Sequence, residues 1–173
     1  MTDETTPPGI ESIILEDDGT FPNSSLPVVL YRQAIALAPN DPAASIEERF
    51  HDQGWEGVWR NGIFTYHHYH STAHEALGIA RGHVTVQLGG PHGRTLDLEA
   101  GDLVVLPAGT AHRNLRQSAD LLVVGAYPAS QRPDLLRGDP DERPDADETI
   151  AGVPLPTSDP VLGERGPLMD LWT

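Results

Sequence analysis

Residues 67–75, HHYHSTAHE, hold four histidines and a glutamate in a chain with only eight histidines. The chain has no cysteine, so a metal would have to be held by imidazole and carboxylate, the nitrogen and oxygen donors suited to first-row divalent ions. If residues 63–70 form a strand, alternation puts Phe64, Tyr66, His68 and His70 on one face and Ile63, Thr65, His67 and Tyr69 on the other. His68 and His70 then lie about 6–7 Å apart and can lean onto one ion. Glu75, beyond the polar turn STAH, opens the next strand and can return its carboxylate to the same centre, while His67 and His74 turn away. His112, in LPAGTAHRN, is the candidate fourth ligand from farther along the chain. Three nitrogens and one carboxylate oxygen suit Mn, Fe, Co, Ni or Zn, and an octahedral ion keeps positions open for water, substrate or oxygen.

Other chemistries fit these residues less well. HEALG begins like the helical zinc-protease motif His-Glu-x-x-His but fails at Gly78. His70 and His74 have the spacing of one helix face, against which the flanking glycines and strand-like runs argue. In LGGPHGRT the glycines suggest a turn between strands, since no strand-to-helix transition follows to make a phosphate loop. Parity also selects a pocket lining. Phe64, Leu77 and Ile79 read as apolar wall or ordinary core, Tyr66 as a phenol able to donate a proton near the metal, and Tyr127 as a weaker candidate of that kind.

The elements that must position these residues are short. Glycine and proline contribute 17 and 16 of 173 residues, which favours strands joined by turns. From Trp55 onward, runs such as EALGIARG, HVTVQLGG, RTLDLEAGD, LVVLPAGTAH and LLVVGAYP recur at the spacing of an all-β sandwich or barrel. Upstream, residues 1–9 read as disordered, ESIILEDD and LPVVLYRQAI as strand-like, and Asp41-Pro42 as the cap and first turn of a peripheral helix closed by Gly54. The expected layout is one domain: an N-terminal arm and short helix over residues 1–54, the strand-rich unit over 55–128, and an acidic loop with an apolar C-terminal arm over 129–173. That arm either packs over its own chain or reaches across a dimer. The net charge is −15 and all eleven basic residues are arginine, which argues against nucleic-acid and anionic-membrane partners. The lysine-free composition fits either a biased genome or adaptation to high salt. The acidic start lacks a secretory signal, so a cytoplasmic location is expected, and a homodimer is the expected assembly.

Gly62-x5-His68-x-His70-x4-Glu75-x6-Gly82 resembles the first signature of the cupin superfamily, and Gly101-x5-Pro107-x-Gly109-x2-His112 resembles the second. The flanking arms look further like those of stand-alone bacterial cupins of the YjlB-like type. The resemblance implies an all-β jelly-roll barrel holding one divalent metal on His68, His70, Glu75 and His112. One position departs from the pattern: Arg116 stands where the second signature usually ends in asparagine, and Asn114 lies two residues earlier. By strand parity His112, Asn114 and Arg116 face inward, so Asn114 is expected to orient a bound group. Arg116 either clamps a substrate carboxylate or forms a rim salt bridge.

A metal in an apolar cavity implies a small organic substrate. The leading expectation is an iron-dependent dioxygenase. The alternatives are a non-redox isomerase, decarboxylase or lyase, and a non-enzymatic metal-bearing binding module.

Overall fold

The structure is a computed structural model that describes residues 9–173; the expectation for residues 1–8 lies outside the described part. Two strands, β1 (Ile10–Leu15) and β2 (Ser24–Tyr31), precede helix α1 (Pro42–Asp52). Then come β3 (Glu56–Asn61), β4 (Glu75–Arg81), β5 (His83–Leu88), β6 (Arg94–Glu99), β7 (Leu103–Leu106), β8 (His112–Gln117) and β9 (Leu122–Tyr127). Short helices α2 (Asp145–Ala151) and α3 (Pro167–Leu171) complete the chain. Antiparallel pairing builds a six-stranded sheet in the order β1-β2-β7-β4-β9-β3 and a three-stranded sheet in the order β6-β5-β8.

The all-β, two-sheet character agrees with the sequence pattern, but the closed jelly-roll barrel does not form. Among the described residues the large sheet ends at β1 and β3 and the small one at β6 and β8, and no ladder joins them. The expected strand at residues 63–70, which would have extended the small sheet beside β8, is instead an irregular segment. It pairs with β8 only through the isolated bridge His68↔His112 and a bond from Asn114 N–H to the Phe64 carbonyl. Four steps of chain from Phe64 to His68 therefore oppose two steps of β8, so Thr65–His67 bow out and regular pairing cannot propagate.

What holds the sheets together is side-chain packing. Val28, Leu30, Leu77, Ile79, Val104 and Leu106 of the large sheet meet Val84, Val86, Leu88 and Leu98 of the small one. The opposite face of the large sheet is also covered. There α1 lays Ala43, Ile46 and Phe50, all fully buried, against Ala76, Ala80 and Val124. This corrects the expectation of a peripheral helix: burial of Ile46 and Phe50 is worth about 1.5–3 kcal/mol each. A Cβ on Gly78 would meet Ile46 Cγ2 at 2.7 Å, so only glycine lets the helix approach β4 this closely. Asp41 Oδ1 caps α1 by accepting from Ala44 N–H. With both faces covered, β2, β7 and β9 read as continuous apolar runs rather than alternating ones.

The C-terminal arm extends this second core with Val161, Leu168 and Trp172 from the same chain. Its anchor is Asp159, completely buried, which accepts from Tyr31 Oη at 2.5 Å and from the amides of Val161, Leu162 and Leu168.

Candidate metal centre

Three imidazoles converge between the sheets. His68 and His70 lie on the irregular segment and His112 opens β8, and a donor atom from each lies within 4.8 Å of the others. The two sequence motifs are tied directly: Gly109 N–H donates to the His70 carbonyl, and His68 and His112 exchange backbone hydrogen bonds. Asn23 steadies the turn before His112 by accepting from Ala111 N–H while donating to the Gly89 carbonyl.

Each ring is oriented by a backbone carbonyl. His68 Nδ1 donates to Tyr66 O at 3.0 Å, His112 Nδ1 to Thr110 O at 3.0 Å and His70 Nδ1 to Asp134 O at 2.5 Å. With Nδ1–H engaged in this way, Nε2 is left to face the centre. Glu75, on the inward face of β4, brings Oε2 to 3.2 Å from His70 Nε2 and 3.3 Å from His112 Nε2. That oxygen is buried yet has no well-directed hydrogen bond. A buried acceptor without a well-directed donor, among three oriented imidazoles, fits a divalent cation placed between them.

The electrostatics agree. Burial opposes the charge on Glu75, but His70 and His112 more than offset it and hold the carboxyl below its ordinary range. His70 resists protonation through burial, yet Glu75 and the Asp134 carbonyl outweigh this and push it up to about 8. His68 is pushed down to about 3 by burial and by His112 beside it.

A cavity of about 340 Å³ opens onto these four residues. Ile63, Phe64 and Leu77 give it apolar wall, Trp59 and Tyr127 an aromatic side, and Asn61 a polar group. Trp59 Nε1 donates to Tyr127 Oη at 2.9 Å, and Tyr127 Oη reaches Glu75 Oε1 at 3.3 Å.

Other residues singled out in the sequence sit elsewhere. Tyr66 is not in the cavity lining: its ring stacks on Phe64 and lies under the Arg137 guanidinium, 3.8 Å from the ring centre. Asn114 is buried but donates to Gln117 Oε1, and it too lines no part of the cavity. Arg116 faces the opposite side of the small sheet, where Nε donates to Thr85 Oγ1. Its reversal has a physical cause. Asn114 pairs with Val86 and Arg116 with Thr85, so Leu115 is an extra residue that switches the parity of β8. His67 packs on Phe21, away from the centre. His74 also turns away from it but is not at the surface: it is buried against Trp172, and its Nδ1 accepts from Ala108 N–H at 2.8 Å.

Sequence reasoning missed Trp59 and Asp134. Trp59 lies upstream of both motifs. Asp134 sits in the charged stretch read as a surface loop, and it works mainly through its carbonyl, which no residue type announces. That loop docks on the site by the backbone pair Tyr69↔Leu136, and the Asp134 carboxylate accepts from Ser71 N–H and Oγ.

Two antiparallel sheets around a three-histidine cluster able to hold a divalent metal define a metal-binding, single-domain protein of the cupin kind, and the chain belongs to the cupin superfamily: the Cupin domain family matches residues 54–124. It is similar over nearly its whole length to the Bacillus subtilis (strain 168) protein "Uncharacterized protein YjlB", with 39% identity over 163 residues, 94% of this chain and 96% of that one. Among solved structures, acireductone dioxygenase from Bacillus anthracis, with a cadmium ion in its active centre, aligns at 19% identity and TM-score 0.38 over 53% of this chain and 63% of that one. A DUF861 family protein from Thermotoga maritima aligns at 25% identity and TM-score 0.31 over 50% of this chain and 83% of that one. No helix among the described residues is long and apolar enough to cross a membrane.

Proposed function

We propose that this protein is a metal-dependent enzyme acting on a small organic molecule, with His68, His70, Glu75 and His112 as ligands of one divalent ion and an iron-dependent dioxygenase as its leading class. The observation that carries this reading is the buried Glu75 Oε2, without a directed donor among three imidazoles, at the base of a mainly apolar cavity. When bound, the ion supplies Lewis-acid polarisation of a substrate oxygen and, as iron, redox chemistry with dioxygen.

The chain's own residues supply the rest. Ile63, Phe64 and Leu77 exclude water from the reacting group and select for an apolar body. Asn61, whose Oδ1 accepts from Gly62 N–H, keeps its amide hydrogens for a polar substituent. Tyr127, kept protonated by burial and by Glu75, is a donor beside the ligands, the role that parity had suggested for Tyr66.

The test is oxygen uptake by Fe(II)-loaded protein across a panel of thiols, enols, diketones and flavonols. Substrate-dependent uptake supports the dioxygenase. Turnover without oxygen by Zn- or Mn-loaded protein replaces it with non-redox isomerase, decarboxylase or lyase chemistry. Failure of both, with tight retention of a small molecule, leaves a binding module and overturns the enzyme reading.

A further inference from the structure

The cavity contains a polar chain that neither motif announces. Trp59 Nε1 donates to Tyr127 Oη at 2.9 Å, and Tyr127 Oη contacts Glu75 Oε1 at 3.3 Å. Its direction is fixed by chemistry. An indole N–H can only donate, so the phenol oxygen is the acceptor in the first bond and its own hydrogen is left to point at the carboxylate. Glu75 is thereby divided: Oε1 is addressed by Tyr127, while Oε2 faces His70 and His112 with no well-directed hydrogen bond.

The backbone is shaped to make this chain. Glu56 pairs with Tyr127 and Trp59 with Gly125, so three steps of β3 oppose two steps of β9. The extra residue is a bulge at Gly57, whose φ of +65° is the left-handed conformation that glycine supplies at such bulges. Without it, regular pairing would put Val58, not Trp59, opposite Gly125. A Cβ on Gly125 would lie 2.2 Å from Trp59 Cε2, so the indole can lie across β9 only because that position has no side chain. A Cβ on Gly57 would lie 3.0 Å from Tyr127 Cδ2, so the phenol ring also occupies space that a glycine leaves open. Two glycines and a bulge thus seat two aromatic rings whose polar atoms end on a buried carboxylate.

We infer that Trp59 and Tyr127 are positioning residues for Glu75: Trp59 fixes the direction of the Tyr127 hydroxyl, and Tyr127 holds Oε1 so that Glu75 presents a single oxygen, Oε2, to the metal. The inference rests on the reading of Glu75 as a ligand. It adds that the carboxylate's pose is set from outside the two motifs, by β3 and β9.

The test uses Co(II) as the probe, with the full-length protein and its Tyr127→Phe, Trp59→Phe and double variants. Affinity is read by competition with a chelator, and coordination by the visible absorption of bound Co(II). Tyr127→Phe is expected to weaken Co(II) binding by about 10- to 100-fold, the usual effect of removing a partner of a ligand, and to change the absorption band. Trp59→Phe is expected to shift both in the same direction by a smaller factor, and to add nothing when combined with Tyr127→Phe, because it acts through that hydroxyl. Gly125→Ala, which displaces the indole, should match Trp59→Phe. Affinity within twofold of the unsubstituted protein and an unaltered band in Tyr127→Phe would overturn the inference and leave the metal site standing. Additive losses in the double variant would overturn the action of Trp59 through Tyr127. Absence of stoichiometric Co(II) binding by the unsubstituted protein would overturn the ligand assignment, and the inference with it.

Discussion

Metal uptake should release a proton from His70, and the amount should depend on pH in a way the geometry fixes. In the metal-free site the Glu75 carboxylate, 3.2 Å from His70 Nε2, outweighs burial and pushes His70 up to about 8. A metal needs that nitrogen's lone pair, so the proton must leave. At pH 7 a group with this pKa is about 90% protonated, and at pH 9 about 10%, so His70 contributes about 0.9 proton per ion at the lower pH and about 0.1 at the higher. His68, pushed down to about 3, is already neutral in this range, and Glu75, held below its ordinary range, is already charged. The sign follows: affinity rises with pH, by about tenfold per unit from this group between pH 6 and 7, and its contribution levels off above about pH 8. Calorimetric titration of Zn(II) into metal-free protein, in buffers of different ionisation enthalpy, gives proton release as the slope of observed heat against buffer heat. A contribution from His70 of about 0.2 proton or less at pH 7, the amount an imidazole of ordinary pKa gives, would refute the argument, because the carboxylate would then not be charging the imidazole.

His112→Ala and Glu75→Ala should each lose stoichiometric metal, measured on purified protein by elemental analysis, and retention by both would refute the ligand set. His74 is pushed down to about 4 by burial, so as pH falls through 6.5 the unfolded chain takes up a proton that the folded imidazole refuses. Stability of the metal-free protein should therefore drop by up to about 3 kcal/mol between pH 6.5 and 4 on this account, and urea denaturation of His74→Gln should show a smaller drop. Asp159→Ala should cost about 3 kcal/mol or more, because it removes the acceptor of one hydroxyl and three amides, and a urea-midpoint change equivalent to under about 1 kcal/mol would contradict the anchoring role.

Much of the centre was legible because the motifs carry it in residue type and spacing. Histidine and glutamate are the donors a cysteine-free chain can offer, and the structure brings His68, His70 and His112 together with the Glu75 carboxylate among them. The strand-rich composition likewise pointed to antiparallel sheets, and Asp41 to the start of α1.

Strand parity, by contrast, is a local rule that lasts only until a residue is inserted. Bowing of Thr65–His67 removed the expected strand at 63–70, and Tyr66 came to lie under Arg137 rather than in the cavity. The extra Leu115 sent Arg116 to the opposite face, and the Gly57 bulge delivered Trp59 to the site. Whether the sheets close depends on which edges find partners, and whether a charged loop docks depends on carbonyls such as that of Asp134. Both are matters of contact between distant segments. The sequence by itself determined which donors were available and the order in which they come; the tertiary structure decided which side chains surround them, because bulges and long-range pairings are settled by packing rather than by spacing along the chain.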